Sequence, residues 1–163
     1  MDPILTEARQ MMETVTPLRD DCGKLCGGAC CHSLPGDETG MLLFPGEEAL
    51  YLDRPDWRLR STEHGMLAVC SGSCSRCDRP LSCRLFPLLP VVRGEEIRVA
   101  MDARAAAVCP LYAAGRSGLC ADFVQAVRTC GTLLMRSPSQ AAFLRQLTAI
   151  HDELKALRQT FGR

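Results

Sequence analysis

The sequence predicts a mainly α chain with a cysteine-rich irregular lobe and a small β-hairpin, folded as a single domain. Three observations predict it. Apolar residues recur at helical spacing near the N-terminus and through the C-terminal third. Two apolar runs flank a glycine-bearing loop at Arg93-Gly94-Glu95. The chain also holds 11 cysteines in 163 residues, nine of them between Cys22 and Cys109. The expected organisation is one domain over 1–163, with a cysteine-rich metal-binding region at 20–111 and a C-terminal helical hairpin at 118–163.

Ile4, Ala8, Met11, Met12 and Val15 set the spacing of the first helix, capped by Thr6 or Asp2 and ended by Pro17. Asp20 to Ser33 holds Gly23, Gly27 and Gly28 among four cysteines, which makes a poor helix and a good wrapping loop. Gly36 to Gly40 reads as a turn, Met41 to Phe44 as a short extended piece, and Glu47 to Leu52 as one or two helical turns. Arg54 to Ser61 reads as irregular or partly extended. Gly65 to Val69 forms a short strand that delivers Cys70, and Gly72 to Leu85 is a second cysteine-rich loop. Leu88 to Val92 and Glu96 to Ala100 make the hairpin, its first strand placed at an edge by Pro87 and Pro90.

The remainder is helical. Asp102 to Val108 makes a short helix entering Cys109-Pro110, and Leu119 to Arg136 a longer one with Phe123, Val127, Cys130 and Leu134 on one face. Ser137-Pro138-Ser139-Gln140 then supplies a serine cap, a proline in the first turn and a glutamine three residues on. The helix that follows carries Phe143, Leu144, Leu147, Ile150, Leu154 and Leu157 on one side.

Several function classes are excluded or disfavoured at this level. Nineteen basic residues balance nineteen acidic ones, and only two of the basic residues are lysines, so no general nucleic-acid surface is expected. The apolar runs are too short for a transmembrane helix, and the N-terminus does not read as a secretory signal, so a cytoplasmic location is expected, with no membrane partner. No dinucleotide fingerprint, phosphate-binding loop, H-E-x-x-H or G-x-S-x-G occurs, so no catalysed reaction can be named.

The thiols carry what functional signal there is. An odd number of cysteines cannot pair completely within one chain, and dense thiols in a reducing compartment point to metal ligation. Cys22, Cys26, Cys30 and Cys31 fall within ten residues, where a cation would offset their mutual repulsion. Neighbouring Cys30 and Cys31 diverge in direction, so one ligates while the other packs, or they serve two centres. His32 is either a ligand or an exposed loop histidine. Cys74-Ser75-Arg76-Cys77 has the spacing that lets two thiolates hold one ion. It lacks the strand-then-helix context of a thioredoxin-type dithiol. Arg76, Arg79 and Arg84 either compensate thiolate charge or pair with Asp78 and other acids. Cys120 and Cys130 read as core residues.

Three stretches carry a resemblance: Cys22-Gly23-Lys24-Leu25-Cys26-Gly27-Gly28-Ala29-Cys30-Cys31, then Gly72-Ser73-Cys74, then Arg79-Pro80-Leu81-Ser82-Cys83-Arg84-Leu85-Phe86-Pro87. With Cys109-Pro110 they resemble the CxxCxxCC-type family of zinc- or iron-chelating domains. Both gaps of the first motif are one residue longer here, and Cys70 and Cys77 are additional thiols. The resemblance implies chelation by Cys22, Cys26, Cys30, Cys31, Cys74 and Cys83, with Cys109 joining them. Adding Cys77 from its own spacing gives the expected ligand set. The expectation is a protein binding zinc or an iron–sulfur cluster. Its alternatives are an iron–sulfur redox or modification enzyme and a metal-stabilised module that meets another protein through the C-terminal helices.

Overall fold

Asp2 starts the first helix. Its carboxylate accepts the Ile4 N–H at 2.8 Å, Pro3 occupies the first turn, and α1 runs Pro3–Met11. The computed structural model describes residues 1–32, 40–72 and 74–161, so the turn expected at 36–40 lies outside the described residues except for Gly40. α1 stops short of Val15; it buries Leu5, Ala8 and Arg9, and Met12, just past its end, is buried with them.

The cysteine-bearing segment does not form a separate irregular lobe. It folds into short regular pieces. α2 is Cys22–Cys26, and a 3-10 turn covers Ala29–Cys31. β1 (Met41–Leu42), β2 (Trp57–Thr62) and β3 (Gly65–Cys70) make an antiparallel sheet ordered β1-β3-β2, in which Trp57 faces Cys70 in register. The stretch 54–61, expected as irregular or partly extended, is strand from Trp57 onward. A second 3-10 turn at Arg76–Asp78 leads into α3, Leu81–Leu85. The cysteines are distributed along these elements instead of being collected in one lobe. The mainly helical architecture with small strands holds; the cysteine-rich lobe is corrected.

β4 (Leu88–Arg93) and β5 (Glu96–Met101) form a two-stranded ribbon, with Arg93 opposite Glu96 across the turn. Pro90 fits in β4 because a two-stranded ribbon leaves one side of each strand without ladder bonds. After α4 (Ala105–Val108), the two long helices are α5 (Ala121–Leu134) and α6 (Pro138–Phe161). α5 packs on α1 and on both strands of the ribbon, while α6 packs on β4. Gly131 allows that approach: a Cβ there would stand 2.6 Å from Pro90 Cβ and 2.8 Å from Ile97 Cγ2. Phe123, Val127, Cys130 and Leu134 meet Leu88, Val91, Leu144 and the α1 residues in the main core. Each such aliphatic or aromatic side chain contributes roughly 1.5–3 kcal/mol on full burial.

The start of α6 departs from the predicted capping box. Gln140 does not reach back to the helix start; its amide donates to Pro45 O at 2.9 Å. The Ser137 hydroxyl donates to the Asp2 carboxylate at 2.5 Å. These side chains thus pin the first turn of α6 to the first turn of α1 and to the Pro45 loop. That tertiary use outweighs a local cap.

A smaller core of Leu43, Tyr51, Trp57 and Ala68 sits under the three-stranded sheet, and Cys70 and Cys74 pack against it. A buried ion pair links this core to α1. Glu47 is fully buried, pairs with Arg9, and accepts the backbone N–H groups of Leu81 (2.7 Å) and Phe44 (3.3 Å). The Tyr51 hydroxyl donates to Asp78 O at 2.9 Å, and Arg9 donates to the Tyr51 oxygen at 3.4 Å. Burial pushes the Glu47 carboxyl up, with Arg9 and the two N–H groups opposing that shift. The same surroundings push the Tyr51 phenol up to about 12.

Candidate functional site

Two thiol pairs stand out among the described residues. Cys30 and Cys31 place their sulfurs 3.9 Å apart on the 3-10 turn that follows α2. Cys70, at the end of β3, and Cys74 both pack against the small core, close enough to shift one another's ionisation. In each pair the surroundings favour ionisation of one thiol and oppose that of the other. The hydrogen bond with Cys30 lowers Cys31 to about 6 against the opposing effect of burial, with Arg79 and His32 adding favourable charge. Cys74 lowers Cys70 to about 6, again against burial, helped by the Gly72 N–H and by Arg79. Their partners, Cys30 and Cys74, are correspondingly raised.

The remaining expected ligands form no such pair, although Cys22 lies near Cys26 and Cys109, and Cys83 near Cys31 and Cys70. The Cys26 thiol donates to Cys22 O at 3.6 Å along α2. Cys77 is exposed, and the Ser75 hydroxyl lies 3.0 Å from its sulfur. That hydroxyl spends its proton on Asp78 at 2.5 Å, so the Cys77 thiol is the donor to Ser75. Cys83 lies on α3 and Cys109 just after α4; burial is the main cause that raises both, as it raises Cys22. His32 is exposed and donates its Nε2–H to Gly27 O at 2.9 Å, which holds its own loop.

This arrangement corrects the metal reading. Among the described residues, no three His, Cys, Asp or Glu side chains are grouped to hold a metal ion. The physical reason is the pairing. Cys74 turns to Cys70 and Cys77 to Ser75, so the C-x-x-C does not act as a chelating unit. A tetrahedral zinc or a cluster iron needs several sulfurs about one point. Zinc, iron and iron–sulfur are therefore unsupported as cofactors, and a metal ion is unsupported as a partner. Metal-dependent catalysis and a metal-stabilised module go with them. The expected set Cys22, Cys26, Cys30, Cys31, Cys74, Cys77, Cys83 and Cys109 also left out Cys70. The strand expected to deliver Cys70 was the signal that could have found it.

The arginines do something the sequence did not separate. Arg54, not one of the loop arginines, pairs with Asp78 at 2.8 Å, and this with the Ser75 hydroxyl holds the Asp78 carboxyl down at about 2. Arg84 is buried and donates to the carbonyls of Arg79 (2.9 Å), Arg9 (2.7 Å) and Cys77 (2.7 Å). Arg76 reaches Met12, Glu13 and Val15 carbonyls beyond the end of α1. Arg79 lies close enough to Cys74, Cys31 and Cys22 to influence their ionisation, and Arg76 also acts on Cys22. Arg76 and Arg84 fix the loop, and Arg79 brings positive charge to its thiols.

Surface shape adds little. The larger groove, about 460 Å³, is lined by Glu48, Glu63, His64 and Phe143 among others, with no cysteine. No helix among the described residues is long and apolar enough to cross a membrane. No protein-family model, no curated protein and no solved structure matches the chain, so the resemblance to the CxxCxxCC-type chelating family is not supported.

Proposed function

We propose that this protein is a thiol nucleophile that exchanges with external disulfides through Cys70, with Cys74 as the resolving thiol. One observation carries the reading: Cys70 and Cys74 lie half-buried against the same small core, with Arg79 close enough to favour a thiolate there. A thiolate is the attacking species in disulfide exchange, and an electropositive, partly exposed setting is what sustains it near neutral pH. The Cys70 thiolate attacks one sulfur of a substrate disulfide, forming a mixed disulfide and expelling one thiolate. Cys74 then gives up its proton and attacks Cys70, forming the Cys70–Cys74 disulfide and expelling the second thiolate. The substrate disulfide gains two electrons, and the protein thiols lose two. A cytoplasmic setting, where thiols are kept reduced, suits that starting state.

Selective alkylation tests the reading. The native full chain, treated briefly with iodoacetamide at pH 6.5 and digested for mass spectrometry, should label Cys70 and Cys31 at least tenfold faster than Cys109. Labelling of Cys70 no faster than Cys109 would overturn the assignment of Cys70 as the nucleophile.

A further inference from the structure

We propose that the two thiol pairs form a relay, in which Cys31 attacks Cys70 of the oxidised Cys70–Cys74 pair and moves the disulfide across to a Cys31–Cys70 bridge. The inference rests on the exchange reading above and extends it to the second pair.

Three features of the fold support it. Gly72, two residues beyond the end of β3, sits beside the Cys31 backbone. It has φ +94°, and a Cβ there would stand 3.4 Å from Cys31 O and 3.6 Å from His32 Nδ1. Those are ordinary contacts, so the two segments are neighbours, and it is the positive φ that favours glycine. Second, the charges of Cys31 and Cys70 act on one another, and both thiolates share Arg79 as a favourable neighbour. Third, the Cys30–Cys31 pair is a poor terminus for a disulfide of its own. Adjacent Cα atoms stand about 3.8 Å apart across a trans peptide, below the roughly 4.4–6.8 Å span that an unstrained disulfide favours. Cys31 is therefore better placed to attack a neighbour than to close on Cys30.

The step balances without another reactant. The Cys31 thiolate bonds to the Cys70 sulfur, the Cys70–Cys74 bond breaks, and Cys74 leaves as a thiolate that takes up one proton from solvent. One disulfide is exchanged for another, and no net oxidation occurs. The product covalently joins the segment after α2 to the end of β3.

Disulfide mapping separates the relay from the reading beneath it. Full-length Cys74→Ser, reduced and then given one equivalent of glutathione disulfide, should yield a Cys31–Cys70 cross-linked peptide, with less than a tenth of Cys70 retaining glutathione. The double variant Cys31→Ser/Cys74→Ser should keep the glutathione adduct on Cys70. A persistent adduct in Cys74→Ser overturns the relay and leaves the exchange reading standing. If wild-type protein forms neither a glutathione adduct nor a disulfide at Cys70, both fall. Wild-type protein oxidised with one equivalent and trapped with N-ethylmaleimide over time gives a check independent of the variants' folding. The Cys31–Cys70 bridge should grow as Cys70–Cys74 declines, and a disulfide that stays on Cys70–Cys74 overturns the relay.

Discussion

Cys130 and Cys70 are the same residue in two different solvents. Cys130 sits on α5 among Phe123, Val127 and Leu134, fully buried, and burial alone pushes its thiol up to about 12. Cys70 sits at a strand end beside a second thiol and an arginine, and falls to about 6. One is a small apolar side chain that fills space; the other is a half-buried thiol whose neighbours favour its ionisation. The difference lies in neighbours that can donate a hydrogen bond or offer a positive charge. The helical part of the molecule is held by continuous apolar burial. The thiol-bearing part is held by a small core, one buried ion pair and arginine-to-carbonyl bonds.

The sharpest way to break this contrast is to remove the ion pair that joins the two parts. Glu47→Ala leaves Arg9 buried without its carboxylate and frees the N–H groups of Leu81 and Phe44. It should cost about 3–5 kcal/mol in urea unfolding, the range for breaking a buried pair from one side. A loss below about 1 kcal/mol would show that Arg9 escapes to water and that the link is dispensable. Next in size is Cys130→Ser, which places a hydroxyl in the apolar core. A cost of about 1–3 kcal/mol is expected, with the alkylation rate of Cys70 unchanged. A shift in that rate would mean the two regions are coupled more tightly than the contacts show.

A smaller effect follows from His151, buried on α6, whose Nδ1 accepts the Ala103 N–H at 3.2 Å. Burial lowers its folded value below the ordinary 6.5, with Asp102 and Asp152 opposing and Lys155 and Arg93 reinforcing. The unfolded chain thus binds a proton at higher pH than the folded one. The His151 contribution is fully present above about pH 6.5 and is lost as pH falls through the lower folded value. The slope it can contribute is at most about 1.4 kcal/mol per pH unit. Urea titrations between pH 7 and 5 should show the decline in wild type and a flatter curve in His151→Gln. Equal slopes would remove His151 from the account.

How much of this was legible in the sequence follows from the same contrast. Helix periodicity is a local property, so α1, α5 and α6 could be read from the spacing of Ile4, Phe123 and Leu144 and their neighbours. The β4–β5 ribbon was legible because both strands and their turn are contiguous. The three-stranded sheet was only half visible, since β2 is anchored by the register of Trp57 against Cys70, a pairing that no alternation in Arg58 to Ser61 announces. The thiols were misread for a related reason. Sequence spacing showed which cysteines were near in the chain, and it favoured Cys74 with Cys77. The actual choice, Cys74 with Cys70, depends on the strand end that presents Cys70 and on the Ser75 hydroxyl that occupies Cys77. Arg76 and Arg84 were likewise invisible as staples, because their acceptors lie more than sixty residues away for Arg76 and seventy-five away for the Arg84–Arg9 bond.

Those staples limit how the polypeptide can be divided. A fragment spanning only 20–111 would keep Arg76 and Arg84 but lose the carbonyls of Arg9, Met12, Glu13 and Val15 on which they end. It would also lose Arg9 itself, stranding Glu47. The stretch that carries the reactive sulfur is therefore not a portable cassette. Grafted elsewhere, it would have to bring the first helix with it.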